Sequence, residues 1–275
     1  MQIARIGFTP VKGGRHLEHD QVDLTIDGPA GDRMFALVDR TRGQVLRTVE
    51  NPALLTTSAH WSDGELSVEI AGRTATAIVH ETGEQLDCEY WGRRATVEVL
   101  DGPWAEAYSA LLGQHVALTR SIGHGQVVYG SAITIITTSA LGQLSAIVGY
   151  PIDVRRFRST FVIDTSHRDG GLDTPIVDPV LCTPGVDSAG LDRLVEDDWC
   201  GQQLALGAAR VRVLGGVDRC AVIDFDAASG VTETHLLKAL AGYRSRPGGI
   251  EFGVFAEVVE AAVVRRGDLV ELIPA

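Results

Sequence analysis

The chain has 275 residues, of which 45% are hydrophobic and 22% charged, an ordinary composition for a globular protein of one large or two modest domains. Its formal net charge of −12 argues against general nucleic-acid binding, because such binding depends on a basic surface. No apolar run approaches the ~20 residues of a membrane helix, and no basic region followed by an apolar stretch opens the chain. We therefore expect a cytoplasmic protein with no nucleic-acid or membrane partner.

Strand signals dominate the chain, as short β-branched or alternating runs separated by Gly, Asp and Asn. The predicted strands are Gln2–Phe8, Val22–Ile26, Phe35–Val38, Leu66–Ile70, Thr74–Val79, Thr96–Leu100, Arg210–Leu214, Ala221–Phe225, Phe252–Val259 and Leu269–Ile273. This pattern is typical of a barrel or a sandwich. The predicted fold class is therefore mainly β and rich in β-barrel structure, with a few short helices.

Three short helices are predicted. The first begins with Pro103 after a capping Asp101, the second runs from about Thr138 to Val148, and the third follows Thr232. Glycines end all three, at Gly113, Gly149 and Gly242. Between Ser166 and Asp192, a stretch rich in Gly, Asp and Pro predicts a long irregular loop. The pattern fits two linked β-rich units that divide near residues 115–130.

The widely shared sequence motifs do not indicate a function for this chain, because none of them is present. The chain has no phosphate loop, dinucleotide fingerprint, zinc-binding helix signature or nucleophile elbow. Its four cysteines, Cys88, Cys182, Cys200 and Cys220, form no C-x-x-C pair, so free and mostly structural thiols are expected. His16 and His19 lie three apart in an expected loop, and Asp224 and Asp226 lie two apart on a predicted strand. For both pairs, a structural or solvated role is the commoner outcome.

A family resemblance emerges from fragments spread over nearly the whole chain. In order, they are Thr9–Gly14, Gly31–Asp39, Ile135–Leu141, Arg156–Asp164, Asp197–Trp199, Asp218–Cys220, Asp224–Asp226, Phe252–Phe255 and Arg266–Val270. Together they resemble the MOSC family, named for the C-terminal domain of molybdenum cofactor sulfurase. Within it, they are most similar to the two-part members that include the mitochondrial amidoxime-reducing component and its bacterial relatives. The resemblance implies an N-terminal MOSC-associated β-barrel domain over residues 1–120 and a MOSC β-barrel domain over residues 121–275.

The resemblance also implies a molybdenum cofactor, that is, molybdenum held by molybdopterin. Cys220 would be both the metal ligand and the catalytic residue, and the adjacent Arg219 would favour its thiolate form. The remaining implied cofactor-binding residues are cations for the phosphate and hydroxyls near a helix N-terminus: Lys12, Arg33, Arg158, Thr137, Thr138, Ser139 and Thr160. Two positions depart from the family pattern. Its Phe-Arg-Pro-Asn reads Phe157–Thr160 here, and Phe255 stands where Tyr is frequent.

The family's best-known chemistry is the two-electron reduction of N-hydroxylated compounds. Electrons would come from a separate reductase of the ferredoxin, flavoprotein or cytochrome type, because this sequence carries no iron–sulfur cysteine cluster or flavin fingerprint. An alternative is a carrier of the cofactor or of sulfur without turnover, and a third is a MOSC fold that has lost its cofactor. Joint retention of Cys220 and the three basic residues speaks against the third. Arg244 and Arg246 either line the entrance to the cofactor site or are simply exposed to solvent.

Overall fold

The computed structural model describes residues 1–122, 127–128, 130–166 and 193–273. Strands far outnumber helices in these ranges, which confirms the predicted mainly-β class with few helices. The strands form a nine-stranded sheet, a closed five-stranded barrel and two three-stranded sheets. The predicted loop between Ser166 and Asp192 lies outside the described residues, except for Ser166 itself. Cys182 also lies outside them. No helix in the described ranges is long and apolar enough to cross a membrane.

Twenty strands and three α-helices follow one another along the described ranges. In chain order, the strands are β1 (Gln2–Phe8), β2 (Leu17–His19), β3 (Gln21–Thr25), β4 (Gly28–Pro29), β5 (Phe35–Asp39), β6 (Gln44–Val45), β7 (Ser58–Ser62), β8 (Glu65–Ile70), β9 (Arg73–Ile78), β10 (His80–Tyr90), β11 (Arg93–Asp101), β12 (Val116–Ser121), β13 (Ile133–Thr137), β14 (Phe161–Asp164), β15 (Gln203–Leu206), β16 (Ala209–Asp218), β17 (Ser245–Arg246), β18 (Gly249–Glu260), β19 (Ala262–Arg265) and β20 (Val270–Ile273). The α-helices are α1 (Trp104–Leu112), α2 (Thr138–Val148) and α3 (Leu236–Ala241). Short 3-10 helices span Pro52–Thr56, Val154–Phe157, Val195–Trp199 and Ala221–Asp224.

The closed barrel has the strand order β10-β11-β12-β5-β6. Alternate residues of β5 enter two different cores, as the period of two in a strand requires. Phe35 and Leu37 pack in the core that contains Trp104 of α1, whereas Val38 packs with Val97 on the other side. The barrel therefore fixes the turn that leads into β5, which holds Arg33.

The large sheet joins the start of the chain to its second half, in the order β2-β1-β14-β13-β18-β16-β15-β20, and its ninth strand, β17, pairs with β18 off this path. Strand β1 runs antiparallel to β14, with Ile6 opposite Phe161, and β14 is parallel to β13. One face of the sheet buries an aliphatic and aromatic core, and α2 and α3 cover the other face. The predicted domain boundary near residue 120 stays a prediction. Strand β1, which lies before that boundary in the sequence, pairs with β14, which lies after it.

Two local predictions were wrong. Residues 221–225 do not form a strand: β16 continues to Asp218 and pairs there with Glu251, after which the chain folds into a 3-10 helix. That helix satisfies its own backbone, since Ile223 N–H donates to Cys220 O and Phe225 N–H donates to Val222 O. At α1, Asp101 belongs to β11 and makes no cap, and Pro103 stands at the N-cap position instead.

Candidate functional site

Two loops that precede barrel and sheet strands are joined through their backbones. Lys12 N–H donates to Phe35 O at 2.8 Å, Phe35 N–H donates to Pro10 O at 3.0 Å, and Arg33 N–H donates to Thr9 O at 2.8 Å. These bonds hold Lys12 and Arg33 side by side, although about twenty residues separate them in the sequence. The two residues therefore sit on a rigid backbone frame, as a binding site needs.

Arg158 reaches the same place from a third segment. It caps the 3-10 helix Val154–Phe157 in a left-handed backbone conformation, and its Nη1 donates to Gly14 O at 2.7 Å. Arg33 is also left-handed, with its Nη2 donating to Ala132 O at 2.8 Å and its Nε donating to Asp32 Oδ2 at 2.6 Å. Non-glycine residues in this conformation are uncommon and concentrate at functional sites.

The three cations lie close enough to affect one another. Burial, with Arg33 and Arg158 adding to its effect, lowers the pKa of Lys12 to about 7, while Asp32 and Cys220 oppose the shift. Burial likewise lowers the pKa of Arg158 to about 10, with Arg33 adding to the effect. The Lys12 ammonium also lies 4.7 Å from the centre of the Tyr90 ring. Positive charges crowded in this way are stabilised by an anion bound among them.

Cys220 differs from the other described cysteines in its surroundings. It is exposed, follows β16, and interacts electrostatically with Lys12, Arg158 and Arg219, where it opposes the lowering of their pKa by burial. Cys200 is also exposed, but burial and the nearby carboxylates of Asp197, Glu251 and Asp198 raise the pKa of its thiol. Burial raises the pKa of Cys88 to about 11, and its thiol donates to Ala95 O. Cations surround only one of these two exposed thiols, and that thiol is Cys220.

Arg219 is fixed behind Cys220 and is 8% exposed. Its Nε donates to Phe252 O at 2.7 Å and its Nη1 donates to Phe157 O at 2.8 Å, while Nη2 is buried and has no partner among the described residues. Gly253 makes room for it, because a Cβ there would lie 2.5 Å from Ile135 O and 3.2 Å from Arg219 Nη2. Arg219 can therefore act on Cys220 through its charge.

Thr137, Thr138 and Ser139 lie where β13 meets α2, as expected from the sequence. Thr137 is the N-cap of α2, and its Oγ1 accepts from Ala140 N–H at 3.1 Å. Thr138 Oγ1 donates to Asp164 Oδ1 at 3.1 Å, and Ser139 is exposed. One of the three performs the plain capping role, and Ser139 presents a hydroxyl to solvent at the helix N-terminus.

Thr160 and Arg244 are both buried. Thr160 is 2% exposed; its hydroxyl accepts from Thr134 N–H at 3.2 Å, and the Thr134 hydroxyl accepts from Thr160 N–H at 3.1 Å. Its predicted contact with a cofactor stays a prediction. The alternative of plain solvent exposure for Arg244 was wrong, because the residue is 1% exposed and forms a two-pronged ion pair with Asp197. Its place at an entrance stays a prediction. Arg246 is partly buried, and its Nη1 donates to Ser245 O.

The Asp pair noted in the sequence has a structural role. Asp224 Oδ1 accepts from Leu237 N–H, and Asp226 Oδ1 accepts from Ala228 and Ser229 N–H. His16 is buried, and burial together with Arg158 and Arg33 lowers its pKa well below the usual value. Over the described ranges, no group of three or more His, Cys, Asp or Glu side chains could hold a metal ion.

Sequence reasoning missed one buried acid, Glu196, which is fully buried beside the start of α2. Thr137 Oγ1 donates to Glu196 Oε2 at 2.7 Å, while Oε1 has no partner among the described residues. The residue directly precedes the Asp197–Trp199 fragment. Nothing in its neighbours' polarity distinguishes it from an exposed Glu, because Asp197 and Asp198 follow it immediately.

Comparison with known proteins gives a domain match. A sequence model of the MOSC domain matches residues 181–271, a range that includes Cys220. No curated protein matches the chain.

Three solved structures are similar to it at low identity. YiiM from Geobacillus stearothermophilus has 17% identity over 52% of this chain and 54% of that chain, with a TM-score of 0.32, so the chain spans about half the length of that protein. The YuaD protein from Bacillus subtilis has 11% identity over 98% and 94%, with a TM-score of 0.42. A Bordetella bronchiseptica protein has 16% identity over 39% and 89%, with a TM-score of 0.27.

Proposed function

The chain carries a MOSC domain over residues 181–271, and from that premise we propose that it binds a molybdenum cofactor and reduces N-hydroxylated compounds with electrons from a separate reductase. The observation that supports this most is that Lys12, Arg33 and Arg158 interact electrostatically with one another, and that Cys220 interacts with Lys12 and with Arg158. The reductase would be of the ferredoxin, flavoprotein or cytochrome type, and a cytoplasmic location belongs to the same proposal.

The residues present fit this cofactor in charge and in ligand chemistry. A molybdopterin carries a dianionic phosphate, which suits two guanidinium groups and an ammonium group crowded into one place. Its dithiolene already grips the metal, so one protein thiolate, Cys220, completes the set of soft ligands. The donor set therefore matches both ends of the cofactor.

Each residue has a distinct part in the proposal. Lys12, Arg33 and Arg158 would bind the phosphate, and Cys220 would bind the metal. Ser139 and the N–H groups that open α2 would donate to polar atoms of the pterin. Thr138 and Thr160 would contact the pterin without donating to it, because the Thr138 hydroxyl donates to Asp164 Oδ1 and Thr160 is buried. When bound, the cofactor supplies the two-electron redox chemistry that no side chain can provide.

Arg219 would act by position and charge in this scheme. Its two bonds to backbone carbonyls keep the guanidinium immobile behind the thiolate, and its charge is only partly matched because Nη2 has no partner among the described residues. A buried, fixed cation favours the negative form of a neighbouring sulfur. This would prepare Cys220 to bind a metal.

One observation favours a second function. Because Cys220 is exposed, it could also hold a persulfide or hand over a cofactor, as a carrier does. The two functions differ in turnover: a carrier would hold cofactor and reduce nothing.

The test is a reduction assay on molybdenum-loaded protein with a viologen dye as electron donor and an N-hydroxylated amidine as substrate. We expect turnover in the wild type, loss of turnover in Cys220→Ala, and wild-type turnover in Cys200→Ala, which removes the other exposed thiol. Loaded wild-type protein that shows no turnover would favour the carrier. Equal turnover in both variants would refute the role of Cys220.

A further inference from the structure

We propose that Glu196 is the proton reservoir of this site and that the hydroxyls of Thr137 and Ser139 connect it to the protein surface. This inference rests on the proposed reduction, because a reduction of that kind consumes protons. It assigns a buried carboxylic acid to the reaction, in addition to the Lys12 ammonium beside Cys220.

The connection consists of two hydrogen bonds. Thr137 Oγ1 donates to Glu196 Oε2 at 2.7 Å, and Thr137 Oγ1 and Ser139 Oγ lie 3.0 Å apart. Glu196 is fully buried and Ser139 is exposed, so the path runs from the interior to the N-terminus of α2. A hydroxyl donates one hydrogen bond and accepts two. Thr137 can therefore accept from a protonated Glu196 and from Ala140 N–H while donating to Ser139.

The surroundings of Glu196 allow it to hold a proton near neutral pH. Burial raises its pKa to about 7; Asp197 adds to this effect, while the hydrogen bond from Thr137 and the charge of Arg244 oppose it. Arg219 and Tyr243 are the other charged or titratable groups that interact with it. The Arg244 charge is already matched by its ion pair with Asp197, at 2.7 and 2.8 Å. An acid that titrates close to the working pH is well suited to giving and regaining a proton.

The buried end of the path lies near Arg219, the cation that precedes Cys220 in the chain. The hypothetical Cβ of Gly253 lies within 3.2 Å of both Ile135 O and Arg219 Nη2, so the Arg219 guanidinium lies close to the last residues of β13. Thr137 ends that strand and begins α2. Arg219 and the hydroxyl path therefore both lie near β13, and the charge of Glu196 acts on Arg219.

The balanced step is R–NH–OH + 2 electrons + 2 H⁺ → R–NH2 + H2O. The N–O bond breaks, the external reductase supplies both electrons, and the nitrogen is reduced. Glu196 gives one proton, through Thr137 and Ser139, to the leaving oxygen, and solvent gives the other to the nitrogen. The Glu196 carboxylate then regains its proton through the same hydroxyls.

A glutamine at position 196 separates proton delivery from support of α2. Its amide oxygen can still accept from Thr137, so the N-cap is preserved, but it has no acidic proton. Glu257→Gln is the matched control, since Glu257 is exposed on β18 and pairs with Arg212 at 3.1 Å. Ser139→Ala is a second variant that interrupts the path at its exposed end and leaves the interior untouched.

The first measurement uses cofactor-free protein and infrared difference spectroscopy across a pH titration. We expect a protonated carboxyl C=O band that disappears as pH rises through about 7. The band should be absent in Glu196→Gln and unchanged in Glu257→Gln and Ser139→Ala. A spectrum in which Glu196 is ionised throughout the range from about pH 5 to 9 would overturn the proposal.

The second measurement uses molybdenum-loaded protein. In the wild type, kcat should fall above neutral pH, as Glu196 loses its proton. Glu196→Gln should retain its metal and its KM, have a kcat about a hundredfold lower and show no such fall. Ser139→Ala should keep its molybdenum and pterin content and the infrared band but have a lower kcat, which separates proton delivery from a lost pterin contact. This variant decides the matter should Glu196→Gln fail to fold. Wild-type kcat and pH profile in either folded variant would overturn the proposal. A wild type that holds no molybdenum would overturn the proposed function, and the infrared titration would still show separately whether Glu196 stores a proton.

Discussion

Arg33 and Arg158 share one unusual feature: both hold a left-handed backbone, with φ of 47° and 52°, while their guanidinium groups act on the same Lys12. Such a conformation costs a non-glycine residue on the order of 1–2 kcal/mol. Each arginine also donates to a carbonyl from a distant segment, Ala132 O for Arg33 and Gly14 O for Arg158. The strain is therefore located in the two residues that deliver charge to the candidate site.

Replacing Arg158 should separate this backbone strain from its charge. Arg158→Gly and Arg158→Ala both remove the guanidinium, so both should bind inorganic phosphate about tenfold more weakly. Only glycine adopts the left-handed conformation without penalty, so the Gly variant should be about 1 kcal/mol more stable than the Ala variant. Phosphate titration by calorimetry and urea unfolding measure the two quantities. Equal stability of the two variants would contradict the assignment of strain.

Lys12 should make anion binding depend on pH. Because burial lowers the pKa of Lys12 to about 7, the ammonium loses its proton as pH rises through neutrality, and phosphate affinity should fall there. The unfolded chain binds the proton up to the ordinary lysine value of 10.5, so stability should rise with pH between about 7 and 10.5. Lys12→Met should abolish both slopes. Calorimetry measures the phosphate affinity and urea unfolding measures the stability, each at several pH values. An unchanged pH dependence of both quantities in Lys12→Met would contradict the lowered pKa of Lys12.

Gly253 should tolerate no side chain. A Cβ there would lie 2.5 Å from Ile135 O, and its φ is +75°. We expect Gly253→Ala to lose about 2–4 kcal/mol in unfolding free energy, from overpacking and strain together, and to displace Arg219. Gly267→Ala is the control, because that glycine has a φ of +89° and nothing within 4 Å of the added Cβ. Its loss should be about 1 kcal/mol, from strain alone. Similar losses in the two variants would show that the close approach at Gly253 is unimportant.

Glu196 should make the fold less stable as pH rises. Its pKa in the folded protein, about 7, exceeds the ordinary value of 4.5, so between these values the folded state holds a proton that the unfolded state has lost. The stabilising contribution is complete below about pH 4.5 and is lost as pH rises through 7. Glu196→Gln should remove this decline, and Glu257→Gln should not. Thermal unfolding from about pH 5 to 8 measures it. An unchanged pH slope in Glu196→Gln would contradict a raised pKa.

Much of the fold could be predicted from local pattern. Strand β1 and helix α2 have the expected bounds, because an alternating run specifies the first, and a capping Thr and a terminal glycine delimit the second. Strand β10 could not be found, since its first six residues are exposed and polar or glycine, and no alternation marks them. The 3-10 helix after Cys220 resembles a strand in sequence because Ala221–Phe225 is largely apolar. Its conformation depends on where β16 ends.

Some features of the candidate site could likewise be predicted from the sequence, and others could not. The resemblance points to Lys12, Arg33, Arg158 and Cys220, and their mutual electrostatics in the structure agree with a common location. The surroundings of Arg244 and Glu196 depend on tertiary packing, which no spacing in the sequence reveals. Arg244 is neutralised by Asp197 across 47 residues of sequence, and Glu196 is buried where Thr137, 59 residues earlier, donates to it.

The central claim is that Cys220 and its surrounding cations hold a molybdenum cofactor. The most direct test measures the molybdenum and pterin content of protein produced in a cofactor-competent host, for the wild type, Cys220→Ala and Cys200→Ala. We predict near-stoichiometric metal and pterin in the wild type and in Cys200→Ala, with metal retention or its coordination signature lost in Cys220→Ala. A wild type that carries neither metal nor pterin when cofactor is abundant would contradict the claim.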